Sequence, residues 1–516
     1  MTAPADLILV NGRVHTFADS TETENGTSAT DSSPDAEAVA VRDGRIIRVG
    51  LDSDVRFVAG VETTRIDLGG QTLLPGFIDA HTHLEMVGRR ARETDLSDAT
   101  SPSDCRDRLA TRRDETDGWV LGFAYDESEW AESRYLTRSD LDRVSTDRPV
   151  AAFREDMHLV SVNSVVLDTY SFPSQYLRTE GGEPTGVLVE EAVEVLWEEL
   201  QPSVARTREY LEAAQSIAVS RGVTAVHDMV RHSQAPRVYR ELDQSGELAI
   251  RVRLNYWADH LDAVLETGLR TNHGSEFVTT GAIKTYADGS IGGQTAKLST
   301  AYADSEGRGE WVTDPETLRT LVGRVDDAGL QMATHAIGDE AIQAVVETYE
   351  TTEGKRHRIE HAEVLTAELI ERLANSEIVV SAQPNFHKWA GPGGLYARRL
   401  GDARRVKTNQ FRELVDAGAV LAFGSDCMPL DPLLGVHHAV NASEPAQRLS
   451  VGEAIRAYTH GGAFAGFDED RMGTIAPGMS ADVVALSESP WETDSISDID
   501  VTLTVVDGEI VYENRG

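Results

Sequence analysis

Six residues in this chain have the types and spacing to hold a metal ion. His81 and His83 form a His-x-His pair directly after the apolar run Leu74-Pro75-Gly76-Phe77-Ile78. Side chains two apart in a strand share a face, so the two imidazoles can grip one ion together. Further donors follow, each in or at the end of a strand-like run: Lys284, His335, His361 and Asp426. Nitrogen and oxygen donors of this kind suit Zn²⁺ or another divalent first-row metal. Each also has a structural reading. A strand-end His can be merely exposed, an Asp after Gly-Ser can cap a helix, and Lys284 can pair with a carboxylate such as Asp288. Their joint order, His-x-His, Lys, His, His, Asp, is what points to a metal centre.

Lys284 lies in the apolar stretch Gly281-Ala282-Ile283-Lys284-Thr285-Tyr286, in a chain with five Lys against 43 Arg. Burial disfavours its charge and lowers its pKa. A neutral amine can combine with CO₂ to form a carbamate, whose two oxygens can bridge two metals.

These residues need a frame that brings strand ends to one point. Strand-like runs begin near Leu73, Gly222, Arg251, Gly281, Leu330, Arg358, Ile378 and Ala419. Amphipathic helical segments alternate with them, as in Leu318, Leu321, Val322 and Val325. Eight strands alternating with helices predict an α/β fold, a (β/α)₈ barrel with its active site at the C-terminal strand ends. Residues 95–203 are too long for one crossover and read as an inserted subdomain at the barrel mouth. An alternative count takes a strand-like run near 119–123 or 149–153 into the barrel.

Both chain ends are β-rich. Asn11-Gly12, Asp43-Gly44 and Asp507-Gly508 stand between short apolar runs and predict hairpins. An acidic, Ser/Thr-rich tract at 19–37 reads as a solvated loop. We therefore expect a small composite β-sandwich from residues 1–72 and 470–516, and a barrel domain over residues 73–469.

The formal net charge of −38 excludes nucleic acid as a natural partner, since no basic surplus exists to neutralise phosphates. An acidic surface poor in Lys resembles proteins of salt-loving organisms, where screening tames self-repulsion. No apolar run is long enough for a membrane span, and the first residues lack a signal-like block. A cytoplasmic protein acting on a small molecule is expected, with a homo-oligomer open. Cys105 and Cys427 form no disulfide or thiolate-zinc pattern.

The motifs LPGFIDAHTH (74–83), GxxKxxxDGSxG (281–292), HAIGD (335–339), RIEHA (358–362), AQP (382–384), GSD (424–426) and GTIAPGMSADVV (473–484) resemble the amidohydrolase superfamily. Within it they resemble amidohydrolase family 3, the N-substituted formamide deformylase-like group, over nearly the whole chain. The resemblance implies a barrel with a composite β-sandwich and hydrolysis of amide or formamide-like C–N bonds. It places His81 and His83 on one metal, His335 and His361 on a second, and a carbamate of Lys284 between them, with two Zn²⁺ expected. Asp426 would bind metal and handle the proton while metal-activated hydroxide attacks the carbonyl. His158 resembles the His of a DGHA segment, with Met157 where the group has Gly; His158 and Asp288 are the candidate substrate contacts. The competing readings are a metal-dependent deaminase of a heterocycle and a non-catalytic scaffold. The Lys favours the first reading over a one-metal deaminase, and the full ligand set favours it over a scaffold.

Overall fold

The computed structural model describes residues 3–18, 33–354 and 356–514. The chain divides into two compact units, one of Met1–His83, Gln215–Arg231 and Tyr239–Gly516, the other of Leu84–Ala214 and His232–Val238. The acidic tract read as a loop lies, over 19–32, outside the described residues. No helix among the described residues is long and apolar enough to cross a membrane.

In the first unit the eight expected strands form one parallel sheet ordered as the chain runs. They are Phe77–Thr82, Val223–Val230, Arg251–Trp257, Val278–Tyr286, Gln331–Ala336, Arg358–His361, Val379–Ala382 and Val420–Phe423. Most are buried along their whole length, as a sheet covered on both faces requires. Helix Pro315–Asp327 illustrates the crossovers. The Asp314 side chain accepts from the N–H groups of Glu316 and Thr317, Pro315 opens the helix, and Leu318, Val322 and Val325 are buried.

Two expectations at the chain ends change. The opening stretch is two strands, because Gly76 breaks it. Thr72–Pro75 pairs with Val483–Leu486 in another sheet, while Phe77–Thr82 enters the barrel. A Cβ on Gly76 would come within 2.3 Å of the Thr224 side chain, so only Gly fits the crossing. Nor do Ala5–Val10 and Arg13–Val14 form a hairpin. The first joins a four-stranded sheet and the second a five-stranded one, with Asn11 at φ 58° between them.

The four-stranded sheet runs Arg45–Gly50, Ala38–Arg42, Ala5–Val10, Ala59–Asp67. The five-stranded sheet runs Arg13–Val14, Thr72–Pro75, Val483–Leu486, Val501–Val506, Glu509–Glu513. Both Asp-Gly hairpins form, with positive φ at Asp43, Gly44, Asp507 and Gly508. Leu7, Leu9, Val39 and Val41 of one sheet share a core with Leu73, Val483, Leu503 and Val505 of the other. A composite β-sandwich from both chain ends results. The buried Arg251, opening the third barrel strand, ties it to the barrel through Asp482 (2.7 Å) and Asp507 (2.9 Å).

The second unit has its own six-stranded sheet: Leu177–Glu180, Glu183–Val189, Leu159–Val162, Val150–Arg154, Val120–Tyr125, Thr94–Asp95. The runs near 119–123 and 149–153 belong here, so the alternative barrel count falls. Phe123, Phe153 and Trp197 stack in its core, with neighbouring centroids 5.0 and 4.3 Å apart.

The barrel sheet has no ladder between its eighth and first strands. Single contacts bridge that seam. Asp426 N–H donates to the His81 carbonyl at 2.7 Å. The fully buried Asp79 carboxylate accepts from Ser425 N–H at 3.0 and 3.2 Å and from His81 N–H at 3.1 Å. Burial pushes the Asp79 carboxyl up to about 7. Gly424 permits the approach, since a Cβ there would lie 2.4 Å from the His81 nitrogen.

Gly424→Ala should therefore cost about 1–3 kcal/mol in urea unfolding. Gly323→Ala, whose Cβ would meet nothing within 4 Å, should add roughly 0.5–1 kcal/mol. Asp79→Asn keeps an acceptor in place of a carboxyl already partly neutral near pH 7 and should stay within about 1 kcal/mol of wild type. Asp79→Ala strands two buried donors and should lose roughly 1–3 kcal/mol for each. Equal stability of the Asn and Ala variants would show that the seam does not depend on this carboxylate.

Candidate metal centre

The His-x-His pair shares a face at the end of the first barrel strand. His81 Nδ1–H donates to Glu360 Oε2 at 2.6 Å, and His83 Nδ1–H donates to the Met229 carbonyl at 3.2 Å. Rings tied at Nδ1 present the lone pair of Nε2. Both Nε2 atoms face Asp426 Oδ1, at 3.6 and 3.4 Å. Donors bound to one tetrahedral zinc at about 2.0–2.1 Å stand roughly 3.3 Å apart, so these three atoms fit around one ion. Donor atoms of His81, His83 and Asp426 all lie within 4.8 Å of one another. Burial, then the Lys284 charge, pushes His81 well below the usual His range and His83 down to about 3. Both rings are therefore neutral at pH 7.

The other candidates gather at the same strand ends. Lys284 is 1% exposed, with the Trp257 and Tyr286 ring centroids 5.5 and 5.1 Å from Nζ. Burial pulls its amine down to about 8, against the charges of Glu360 and Asp426, which hold it up. The His361 ring lies 5.0 Å from that of His81 and 4.5 Å from that of His335. His335 Nε2–H donates to the Gly289 carbonyl at 3.1 Å, which makes Nδ1 the nitrogen it can offer a metal. Nδ1 of His361 is buried without a hydrogen bond, although Gln383 lies beside it. An orphaned imidazole nitrogen among five other donors is the kind of group a metal satisfies.

Two further candidates have other surroundings. Asp288 is fully buried. Its oxygens accept from the N–H groups of Lys297 (2.7 Å), Ile337 (3.0 Å) and Gly338 (2.9 Å). A carboxylate spent in this way pins the loop after the fourth strand to the end of the fifth, beside His335. These three bonds give it a positional part in the structure. His158 lies in the second unit, where its Nδ1 is 3.2 Å from Glu190 Oε2. Met157 holds φ 65°, so the left-handed turn persists without the family's Gly.

Several supporting groups carried no clear sequence signal. Glu360, next to His361, is the His81 partner, whereas Asp339, four residues past His335, accepts from Ser299 instead. The alternation Arg358-Ile359-Glu360 could have placed both charges on one inward face. Asp79, two residues before His81, shares the same kind of alternation. Two consecutive residues take left-handed φ at or just past the ends of two of the strands that carry candidate donors: His361 and Ala362 (74° and 50°), Asp426 and Cys427 (50° and 55°). Such backbone costs about 1–3 kcal/mol per residue and persists where the surroundings over-determine it.

The amidohydrolase family matches residues 64–512. The chain is 32% identical to the putative amidohydrolase YtcJ of Bacillus subtilis, across 92% of this chain and 96% of that protein. It is 26% identical to N-substituted formamide deformylase of Arthrobacter pascens over the whole of both. An uncharacterized metal-dependent hydrolase from Pyrococcus furiosus superposes with a TM-score of 0.76 at 28% identity, covering 94% of this chain and 99% of that one. A family match across most of the sequence thus joins a donor cluster at the strand ends: this chain belongs to the amidohydrolase family and is a metal-dependent hydrolase.

Proposed function

We propose that the protein hydrolyses a C–N bond in a small amide or formamide-like molecule. The observation that carries this reading is the convergence of two neutral imidazole Nε2 atoms and the Asp426 carboxylate on one point. The full-length similarity to a protein named N-substituted formamide deformylase supports the substrate class.

His81, His83 and Asp426 would hold one divalent ion, with Zn²⁺ the best match to the donors. Such an ion supplies Lewis acidity and lowers the pKa of water toward neutrality. Asp426 is the carboxylate at that point. It takes the proton from the attacking water as the O–C bond forms, then delivers it to the nitrogen as the C–N bond breaks. The products are a carboxylic acid and an amine. Glu360 and the Met229 carbonyl hold the two rings in register throughout. Trp257 and Tyr286 wall off Lys284 and keep the surroundings poorly solvated, which strengthens charge interactions at the reacting atoms.

His335, His361 and a carbamate of Lys284 would hold a second ion. The neutral amine adds to the carbon of CO₂ and gives up one proton, leaving an N–COO⁻ group with two donor oxygens. Full burial of Lys284 and its lowered amine pKa support that step.

Zinc-loaded protein should release amine and carboxylate from members of an N-formyl and N-acyl amine panel, lose that activity to a chelator and regain it with zinc. Asp426→Asn should lower kcat by about 10²–10⁴-fold. Lys284→Ala should reduce bound metal from about two ions to about one by elemental analysis. No turnover across the panel, or ammonia release from a heterocyclic amine instead, would contradict the amide reading. One ion in both wild type and Lys284→Ala would contradict the bridging carbamate.

A further inference from the structure

Behind the ligand end, inside the barrel, a buried ionic chain leads to His81. Arg358 is completely buried. Its guanidinium meets Glu360 with two bonds, Nε to Oε1 at 2.8 Å and Nη2 to Oε2 at 3.0 Å. Nη2 also donates to the Ala80 carbonyl at 2.6 Å and to Ser381 Oγ at 3.0 Å, and Nη1 donates to His227 Nδ1 at 2.7 Å. One side chain thereby touches the first, second, sixth and seventh strands. Arg only donates, so His227 must accept at Nδ1 and carry its proton on Nε2. Glu360 Oε2, fixed by the fork, then accepts from His81 Nδ1.

We propose that Arg358 and Glu360 are positioning residues that set the tautomer and aim of His81, so that Nε2 is the nitrogen presented to a metal. The ligand role of His81 rests on the functional reading above; the tautomer assignment does not. Arg358 grips the His81 neighbourhood twice, at the Ala80 carbonyl and through Glu360. If the ring lost its acceptor at Nδ1, its proton could sit on either nitrogen, and one of the two tautomers cannot bind through Nε2. A buried ion pair is a weak source of net stability compared with apolar packing. Orienting a ligand ring is a use that apolar side chains cannot serve.

Two measurements test the proposal: the His81 tautomer from ¹⁵N–¹H correlations on metal-free protein, and Zn²⁺ affinity by competition with a chromophoric chelator. Wild type should show His81 protonated at Nδ1. Glu360→Gln should shift or mix that tautomer and weaken Zn²⁺ binding about 10–100-fold. Because Glu360→Gln leaves a buried Arg charge unpaired and can impair folding, the double variant Arg358→Met/Glu360→Leu removes both charges and the acceptor together. It should show the same loss in both readouts. An Nε2-protonated His81 in wild type would overturn the proposal. So would a folded double variant with wild-type tautomer and affinity. Wild type that binds no Zn²⁺ but keeps the Nδ1 tautomer would contradict the metal reading and leave the positioning role standing.

Discussion

The metal centre depends on how the barrel closes. Its proposed first-ion ligands stand on both sides of the seam where the sheet ladder stops: His81 and His83 on the first strand, Asp426 past the eighth. Nothing in the regular hydrogen bonding of the sheet fixes that distance. The Asp79 carboxylate and the bond from Asp426 N–H to the His81 carbonyl fix it instead. Gly424 is the residue that lets the two chains come close enough. A seam about 1 Å wider would separate the imidazole nitrogens from the Asp426 oxygen beyond what one ion can span.

Closure alone would leave the side chains free to rotate. A second layer of contacts removes that freedom. Glu360, the Met229 carbonyl and the Gly289 carbonyl each occupy one nitrogen of a histidine ring. Asp288 anchors the loop that bears the Gly289 carbonyl. The left-handed pairs at His361 and Asp426 turn the chain at the strand ends, at a cost in backbone strain that the packed surroundings must hold. The buried Glu360, Asp79 and Asp288 carboxylates are tolerable there because each has several partners, whereas His361 Nδ1 and Gln383 Oε1 are left without one.

Much of this frame was legible in the sequence. Eight apolar runs predicted eight barrel strands, and all eight formed, because buried parallel strands are continuous in hydrophobicity. The candidate donors were legible because each is a polar residue at the end of such a run, and the family resemblance sorted them into two sets. What stayed hidden was set by contacts across long stretches of chain. Asp79 meets Ser425 across 346 residues, and His81 meets Glu360 across 279. No local pattern announces such pairs. Gly76 is a break because Thr224 lies against it, and Asn11-Gly12 is no hairpin because its two strands find partners in different sheets. The three backbone donors around Asp288 were hidden in the same way, since they come from positions 9 to 50 residues away.

In the proposed centre His81, His83 and Asp426 share one metal ion. Anomalous diffraction from zinc-loaded crystals, recorded on both sides of the zinc absorption edge, should show a peak about 2.0–2.2 Å from His81 Nε2, His83 Nε2 and an Asp426 oxygen. A zinc-saturated crystal with no peak there, or with its strongest peak held by other side chains, would contradict it.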